Sequence, residues 1–215
     1  MDRKPAARVL IADDHRLLAE ACQKMLEPEF QVVAIVTDGR GLVRAAAEHR
    51  PDLAIIDIAL PHLNGLDASQ QVKQKLPGVK LLFLTMNRDP ELAAEAFRRG
   101  ASGYVLKHAG AEELLIAIRK VMRGESFLSS GITRDTMIYL LRQPPPQEGA
   151  RHITPRQVEI LQLLAEGQSM KQIAATLDIS PGTVAFHKYS MMEKLGTLNN
   201  AELLRYAIKH HMISA

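Results

Sequence analysis

Cysteine is almost absent from this sequence: Cys22 is the one example in 215 residues. That excludes an intrachain disulfide framework and any multi-cysteine zinc or iron–sulfur site, and it suits a reducing compartment. Long apolar runs are also missing. No stretch approaches the roughly 18 uninterrupted apolar residues of a membrane span, and the N-terminus passes from Arg3, Lys4 and Arg8 into only Val9 to Ala12 before Asp13. A secreted or membrane-spanning protein is therefore excluded on this reading, and a cytoplasmic location is expected. Charge of one sign is not in excess either, with 27 Lys and Arg against 24 Asp and Glu for a net charge of +3. A pI near 9.0 permits nucleic-acid binding without demanding it. What is present is a 47% hydrophobic chain with 24% charged residues, which argues against disorder and fits one large domain or two modest ones.

The clearest break in pattern is Gln143 to Arg151, where Pro144 to Pro146 run consecutively ahead of Gln147, Glu148 and Gly149. Proline removes a backbone donor and holds the chain extended, so this stretch reads as a linker. The expected division is 1–124, a linker over 125–151 with a short helix and the proline-rich segment, and 152–215. After Gly149 there are 7 basic and 5 acidic residues, so the C-terminal part is only slightly basic.

Before residue 124, short apolar runs alternate with helix-length amphipathic segments. The runs Val9 to Ala12, Val32 to Val36, Leu53 to Ile56, Lys80 to Leu84 and Tyr104 to Leu106 have the character of strands buried on both faces. Five βα units with right-handed crossovers predict an α/β doubly wound five-stranded parallel sheet, with functional groups where the strands end. After the linker no strand signal remains. Thr154 with Pro155 and Gln157, Ser169 with Gln172, Ser180 with Pro181, and Asn199 with Glu202 mark four helix starts. Two of those helices are joined by only Asp178 to Ser180, which predicts an all-α four-helix module containing a helix-turn-helix.

Chemistry concentrates at the strand ends. Asp13 and Asp14 follow the first strand and Asp57 ends the third, and a doubly wound sheet sets those strands side by side. Two carboxylates at about 5 Å repel by around 3 kcal/mol at an effective dielectric near 20, so the cluster wants a cation. Hard oxygen ligands favour Mg²⁺ over zinc. Any one aspartate could instead cap the helix that follows it, but three at strand ends fit that account poorly. Thr85 ends the fourth strand and Lys107 the fifth, adding a hydroxyl and an ammonium. Carboxylate, divalent cation, lysine and hydroxyl are what an acyl-phosphate site needs, with Asp57 as nucleophile, Mg²⁺ and Lys107 neutralising phosphoryl oxygens and Thr85 holding one.

These motifs carry a resemblance. Asp13-Asp14-His15, Asp57 with Pro61 and Gly65 beyond, Thr85, and Gly103-Tyr104 leading to Lys107 make residues 8 to 124 resemble the flavodoxin-like receiver domain of a two-component response regulator. Thr154-Pro155-Arg156 and Ser180-Pro181-Gly182-Thr183-Val184 make residues 152 to 211 resemble a LuxR-type helix-turn-helix, so the whole chain resembles a NarL/FixJ-type response regulator. The resemblance implies a non-enzymatic transcription regulator that accepts a phosphoryl group on Asp57 from a sensor histidine kinase. It implies Mg²⁺ held by Asp14, Asp57 and the backbone carbonyl of Ala59, with Asp13 nearby, and a switch formed by Thr85 and Tyr104. Tyr104 on a strand is also what a core aromatic looks like. Double-stranded promoter DNA, contact with RNA polymerase and a homodimer formed on activation or on DNA are also implied, with Leu203, Leu204 and Ala207 as dimer contacts or ordinary core.

In the recognition helix, Val184, Met191 and Leu195 form one stripe that packs inward, leaving Ala185, Phe186 and Tyr189 to face the major groove. Many members of that family carry a lysine where this chain has Ala185. Phosphate contacts then fall to Lys171, Lys188, Lys194 and Arg156, beside Thr183, and small and aromatic groups point to reading of thymine methyls. Two rivals stand beside this reading. Mg²⁺-dependent phosphohydrolases also use an aspartyl nucleophile on such a sheet, but Asp57 is followed by Ile58 and Ala59, with no second acid two residues on. A constitutive regulator whose receiver only binds protein is disfavoured by the full set of Asp14, Asp57, Thr85 and Lys107. Cys22 is expected in the core with Leu18 and Met25 or Leu26, Met191 and Met192 likewise, His210 and His211 in a frayed terminus, and His15 at the first helix start.

Overall fold

The structure is a computed structural model that describes residues 6–133, 138, 153–209 and 213. Strands β1 (Arg8–Ala12), β2 (Gln31–Val36), β3 (Leu53–Ile56), β4 (Lys80–Thr85), β5 (Gly103–Leu106) and β6 (Phe127–Leu128) form one parallel sheet in the order β2-β1-β3-β4-β5-β6. The β1, β3 and β5 residues Val9 to Ala12, Leu53 to Ile56 and Gly103 to Leu106 are buried without alternation, as strands covered on both faces must be. Helices α1 (Arg16–Leu26) and α5 (Ala111–Met122) cover one face through Ala19, Cys22, Leu26, Leu114 and Ile118. Helices α2 (Gly39–His49), α3 (Gly65–Lys75) and α4 (Pro90–Arg98) cover the other through Leu42, Leu66, Val72, Leu92 and Ala96.

The sixth strand is a departure from the five expected. Phe127 and Leu128 pair with Gly103 and Tyr104 at the sheet edge, and two residues are too few to show a period. The expected short helix and the prolines at 144–146, like His210 and His211, lie outside the described residues, of which only Ile138 falls between 134 and 152.

The C-terminal region contains α6 (Pro155–Ala165), α7 (Met170–Leu177), α8 (Pro181–Leu195) and α9 (Asn200–Lys209), packed around Ile160, Leu163, Ile173, Val184, Met191 and Leu203. Each start signal has a visible cause. Thr154 and Ser169 both close reciprocal capping boxes with Gln157 and Gln172, Ser180 accepts from the Thr183 N–H at 3.0 Å, and Asn199 accepts from that of Glu202 at 3.0 Å. The α7–α8 turn is held by Asp178 in the left-handed conformation, with φ of 53°, which aspartate tolerates better than most residues.

Candidate functional site

Sheet order decides where the site forms. The order in which strands are added reverses between the parallel neighbours β1 and β3, so the connections leaving them go to opposite sides and open a crevice at their C-terminal ends. Asp13 and Asp14 leave β1 there and Asp57 leaves β3, while Thr85 and Lys107 come from the ends of β4 and β5. The β3–α3 loop doubles back tightly: the Gly65 N–H donates to the Ile58 carbonyl at 2.8 Å, and a Cβ at Gly65 would lie 2.0 Å from the Asp57 carbonyl oxygen. Only glycine allows that approach. Asp57 is thereby clamped between the end of its strand and the start of α3.

Asp13 and Asp57 are buried, at 2% and 3% exposure. The Lys107 ammonium sits between them, donating to Asp57 Oδ2 at 2.6 Å and lying 2.8 Å from Asp13 Oδ2. Burial alone would lower the Lys107 pKa. The hydrogen bonds to both aspartates and their charges outweigh it and hold the ammonium above its ordinary value. Asp57 Oδ1 accepts from the Ala59 N–H at 3.1 Å, and Asp13 Oδ1 from that of His15 at 2.8 Å. His15 stands at the start of α1, as expected, without a side-chain capping bond and with its Nδ1 2.8 Å from Asp14 Oδ1.

One ligand atom from each of Asp13, Asp14, His15 and Asp57 lies within 4.8 Å of the others. Three carboxylates against one ammonium leave a deficit of two positive charges in a partly buried crevice. That charge and the oxygen-rich donors fit a hard divalent cation. The Ala59 carbonyl expected among the ligands belongs to a residue lining the same crevice.

Thr85 faces the same cavity of about 350 Å³, whose walls include Asp57, Thr85, Met86, Lys107 and, from the C-terminal region, Ile208 and Ile213. The Thr85 hydroxyl accepts from the Asn87 N–H at 3.2 Å, and the Tyr104 hydroxyl donates to the Asn87 carbonyl at 3.0 Å. Tyr104 is fully buried, and its phenol is held well above its usual pKa by burial first and then by the charges of Asp89 and Asp57. Both expected switch residues are thus tied to the backbone of one residue that the sequence did not single out. Its side chain meanwhile shapes the β4–α4 loop, the Oδ1 accepting from the Asp89 N–H at 2.7 Å. Cys22 is core, as expected, and burial, helped by Asp13 and opposed by Lys107, pushes its thiol up to about 11.

On α8, Val184 and Met191 point inward and are fully buried while Phe186 and Tyr189 are 69% and 59% exposed, as the stripe argument requires. Ala185 is half-buried and Thr183 exposed. Lys171 and Lys194 are exposed and Arg156 half-buried. Lys188 departs from expectation. It lies one turn beyond Val184, on the inward stripe, and is only 8% exposed, with its ammonium 5.4 Å from the Tyr189 ring centroid. Its stem is packing material and only its tip reaches outward. Of the three residues expected as dimer contacts or ordinary core, Leu203 and Ala207, one turn apart on α9, are fully buried in the four-helix core, and Leu204 is half-buried. Their stripe is spent on α6 to α8.

A buried aspartate clamped beside a lysine at the crevice of a doubly wound sheet, followed by a capped helix-turn-helix, defines a receiver joined to a DNA-reading module. Family comparison agrees: residues 9–119 match the response regulator receiver domain and residues 151–207 the luxR family of bacterial regulatory proteins. The chain belongs to the LuxR-type response regulators, which are two-component transcription regulators. It is 33% identical to the oxygen regulatory protein NreC of Staphylococcus epidermidis, over 96% of this chain and 99% of that one, and 34% identical to NreC of Staphylococcus aureus with the same coverage. Among solved structures it is similar to RcsB of Salmonella enterica bound to a promoter with a beryllofluoride phosphomimetic, at 27% identity and a TM-score of 0.58 over 93% of this chain and 97% of that one. ChrA, the response regulator of a heme-sensing two-component system, matches at 27% identity and a TM-score of 0.51 over 98% of this chain and all of that one. No helix among the described residues is long and apolar enough to cross a membrane.

Proposed function

We propose that Asp57 is the phosphoacceptor, that a sensor histidine kinase supplies the phosphoryl group, and that the product acts as a dimer on promoter DNA in the cytoplasm. The observation that carries this is the Lys107 ammonium shared by Asp13 and Asp57 in a crevice whose remaining charge is that of an unpaired dianion. An Asp57 carboxylate oxygen attacks phosphorus, the donor's phosphorus–nitrogen bond breaks, and the leaving imidazole takes up a proton. Mg²⁺ held by Asp14, Asp57 and the Ala59 carbonyl, with Asp13 beside it, would neutralise charge on the transferring group. Lys107 pairs with a phosphoryl oxygen once Asp57 carries the acyl phosphate. The Thr85 hydroxyl, which accepts from the Asn87 N–H, keeps its own proton to donate to another, and turning toward that oxygen strains the bond to the residue to which Tyr104 is also bonded.

The working division is a receiver over 1–124, a linker over 125–151 and a DNA-binding domain over 152–215. DNA is met by Ala185, Phe186 and Tyr189 on the bases and by Thr183, Lys171 and Lys194 on phosphates, Arg156 being engaged by Glu159 and the Leu177 carbonyl, and RNA polymerase is the downstream partner. RcsB, a relative by structure, is bound to DNA as dimers, which supports a dimer here. The protein is a regulator and not an enzyme, because no second acid follows Asp57 at the spacing that hydrolytic turnover needs. Acetyl phosphate with Mg²⁺ should add one phosphate, detected by mass spectrometry, to the wild type and none to Asp57→Asn or to the EDTA-treated protein. Equal labelling of Asp57→Asn would sink the assignment.

A further inference from the structure

Resting on the reading of Asp57 as phosphoacceptor, we infer that the C-terminal domain docks over the acceptor crevice and bars a protein-borne phosphodonor while leaving its own DNA-reading face free. Three sets of contacts define the docked arrangement. Ile208 on α9 and Ile213 beyond it line the same cavity as Asp57, Thr85 and Lys107. Arg40, at the N-terminal end of α2, donates to the Thr176 carbonyl at 3.0 Å and pairs with Glu159 on α6 at 3.3 Å. The His62 N–H, in the loop that carries Asp57 into α3, donates to Glu166 at 2.7 Å.

The surface used decides what docking controls. Glu159, Glu166 and Thr176 belong to α6, its C-terminal end and α7, and Ile208 to α9, so the contact spends no exposed residue of α8. Phe186 and Tyr189 keep 69% and 59% of their surface. A docked DNA-binding domain therefore does not hide its base-reading side chains from DNA. It stands at the mouth through which a phosphohistidine on another protein must reach Asp57, whereas a cavity of about 350 Å³ still admits a small phosphodonor.

The latch is built to open. Glu159 is shared between Arg40 and Arg156, the latter at 2.7 Å, so it keeps a partner when Arg40 leaves. Arg40 Nε is buried with no hydrogen-bond partner, and that unmet donor offsets part of what the ion pair contributes. His62 stands in the left-handed region at φ of 67°, a conformation that non-glycine residues hold only when surroundings enforce it. Any partner that draws the C-terminal domain away, DNA included, raises access to Asp57 by the reciprocity of linked equilibria.

The test uses the full chain and two donors, acetyl phosphate and a histidine-kinase phosphotransfer domain carrying phosphohistidine. Arg40→Glu and, independently, Ile208→Asp should each raise the initial rate of transfer from the phosphohistidine domain about fivefold or more, and Glu159→Arg added to Arg40→Glu should bring it back down. Acetyl phosphate should label Asp57 in all of these proteins with smaller differences, and affinity for a single DNA half-site should stay within about twofold of wild type. Phosphohistidine transfer at wild-type rate in both opened variants overturns the inference. A rise in half-site affinity without faster transfer overturns it too, by placing the contact against the reading helix. Failure of acetyl phosphate to label any of them would instead remove Asp57 as acceptor.

Discussion

Replacing Lys107 by methionine keeps most of the aliphatic stem and deletes the charge that holds Asp13 and Asp57 together. Their ligand oxygens lie no more than 4.8 Å apart. At that separation and an effective dielectric near 20 two full charges repel by about 3.5 kcal/mol, and breaking a buried pair by removing one partner costs about 3 to 5 kcal/mol. With the Lys107 side chain 7% exposed and both aspartates 4%, solvent screening discounts this little. The receiver of Lys107→Met should therefore unfold about 3 kcal/mol more easily at neutral pH with EDTA, which lowers its melting temperature by on the order of 10 °C.

The same charges fix how the loss is recovered. Mg²⁺ replaces the missing positive charge, so millimolar Mg²⁺ should stabilise Lys107→Met more than wild type, and Asp13→Asn added to Lys107→Met should recover about half of the deficit. Scanning calorimetry of the receiver transition, with and without Mg²⁺, reads both. A variant as stable as wild type in EDTA, or one that Mg²⁺ stabilises no more than wild type, would refute the account of the crevice as a cation site compensated by Lys107. In the wild type the sign follows from the raised Lys107 pKa: its contribution is complete below the lysine's unfolded value and is lost as pH rises through the higher folded one. Alkaline titration should thus weaken the receiver only above about pH 10.

Three further outcomes are expected. With its thiol near 11 instead of 9.0, Cys22 should react with a disulfide reagent at mildly alkaline pH about 100-fold more slowly than in the denatured chain; rates within threefold or so would mean the α1 packing opens readily. Tyr104→Phe removes the bond to the Asn87 carbonyl and should cost about 1 kcal/mol of receiver stability while weakening the response of DNA affinity to phosphorylation; a response of unchanged size leaves Tyr104 as core alone. Deoxyuridine in place of contacted thymines should weaken DNA binding by about 1 kcal/mol or more per base, and Ala185→Lys should steepen the slope of log affinity against log salt by about 0.9; equal affinity for both bases would end the methyl-reading model.

How far the sequence leads depends on whether a feature is written in a local period or in a distant pairing. Strands β1, β3, β4 and β5 were legible because burial on both faces forces unbroken apolar runs, β2 by its apolar run although it is only half-buried at the sheet edge, and the four C-terminal helices because a helix start needs a side-chain acceptor at one definite position, as Thr154, Ser169, Ser180 and Asn199 show. The clustering of Asp13, Asp14 and Asp57 was legible one step further on, since topology alone brings the ends of β1 and β3 together. Lys188 was misplaced although its period was visible: Val184, Lys188, Met191 and Leu195 are spaced by four, three and four, and charge was allowed to outweigh spacing where a long stem satisfies both. Leu203 and Ala207 were left open between core and interface, because an apolar pair on a terminal helix fits both equally, and only the helices packed around it place it in the core. Asn87 acts through its backbone, which carries no residue-type signal. The Arg40–Glu159 pair spans 119 residues, and a lone arginine at a helix start has no pattern by which its partner could be named. Contacts of that last kind are where regulation resides in this chain, since the elements they join fold by local rules and stay intact when the contact breaks.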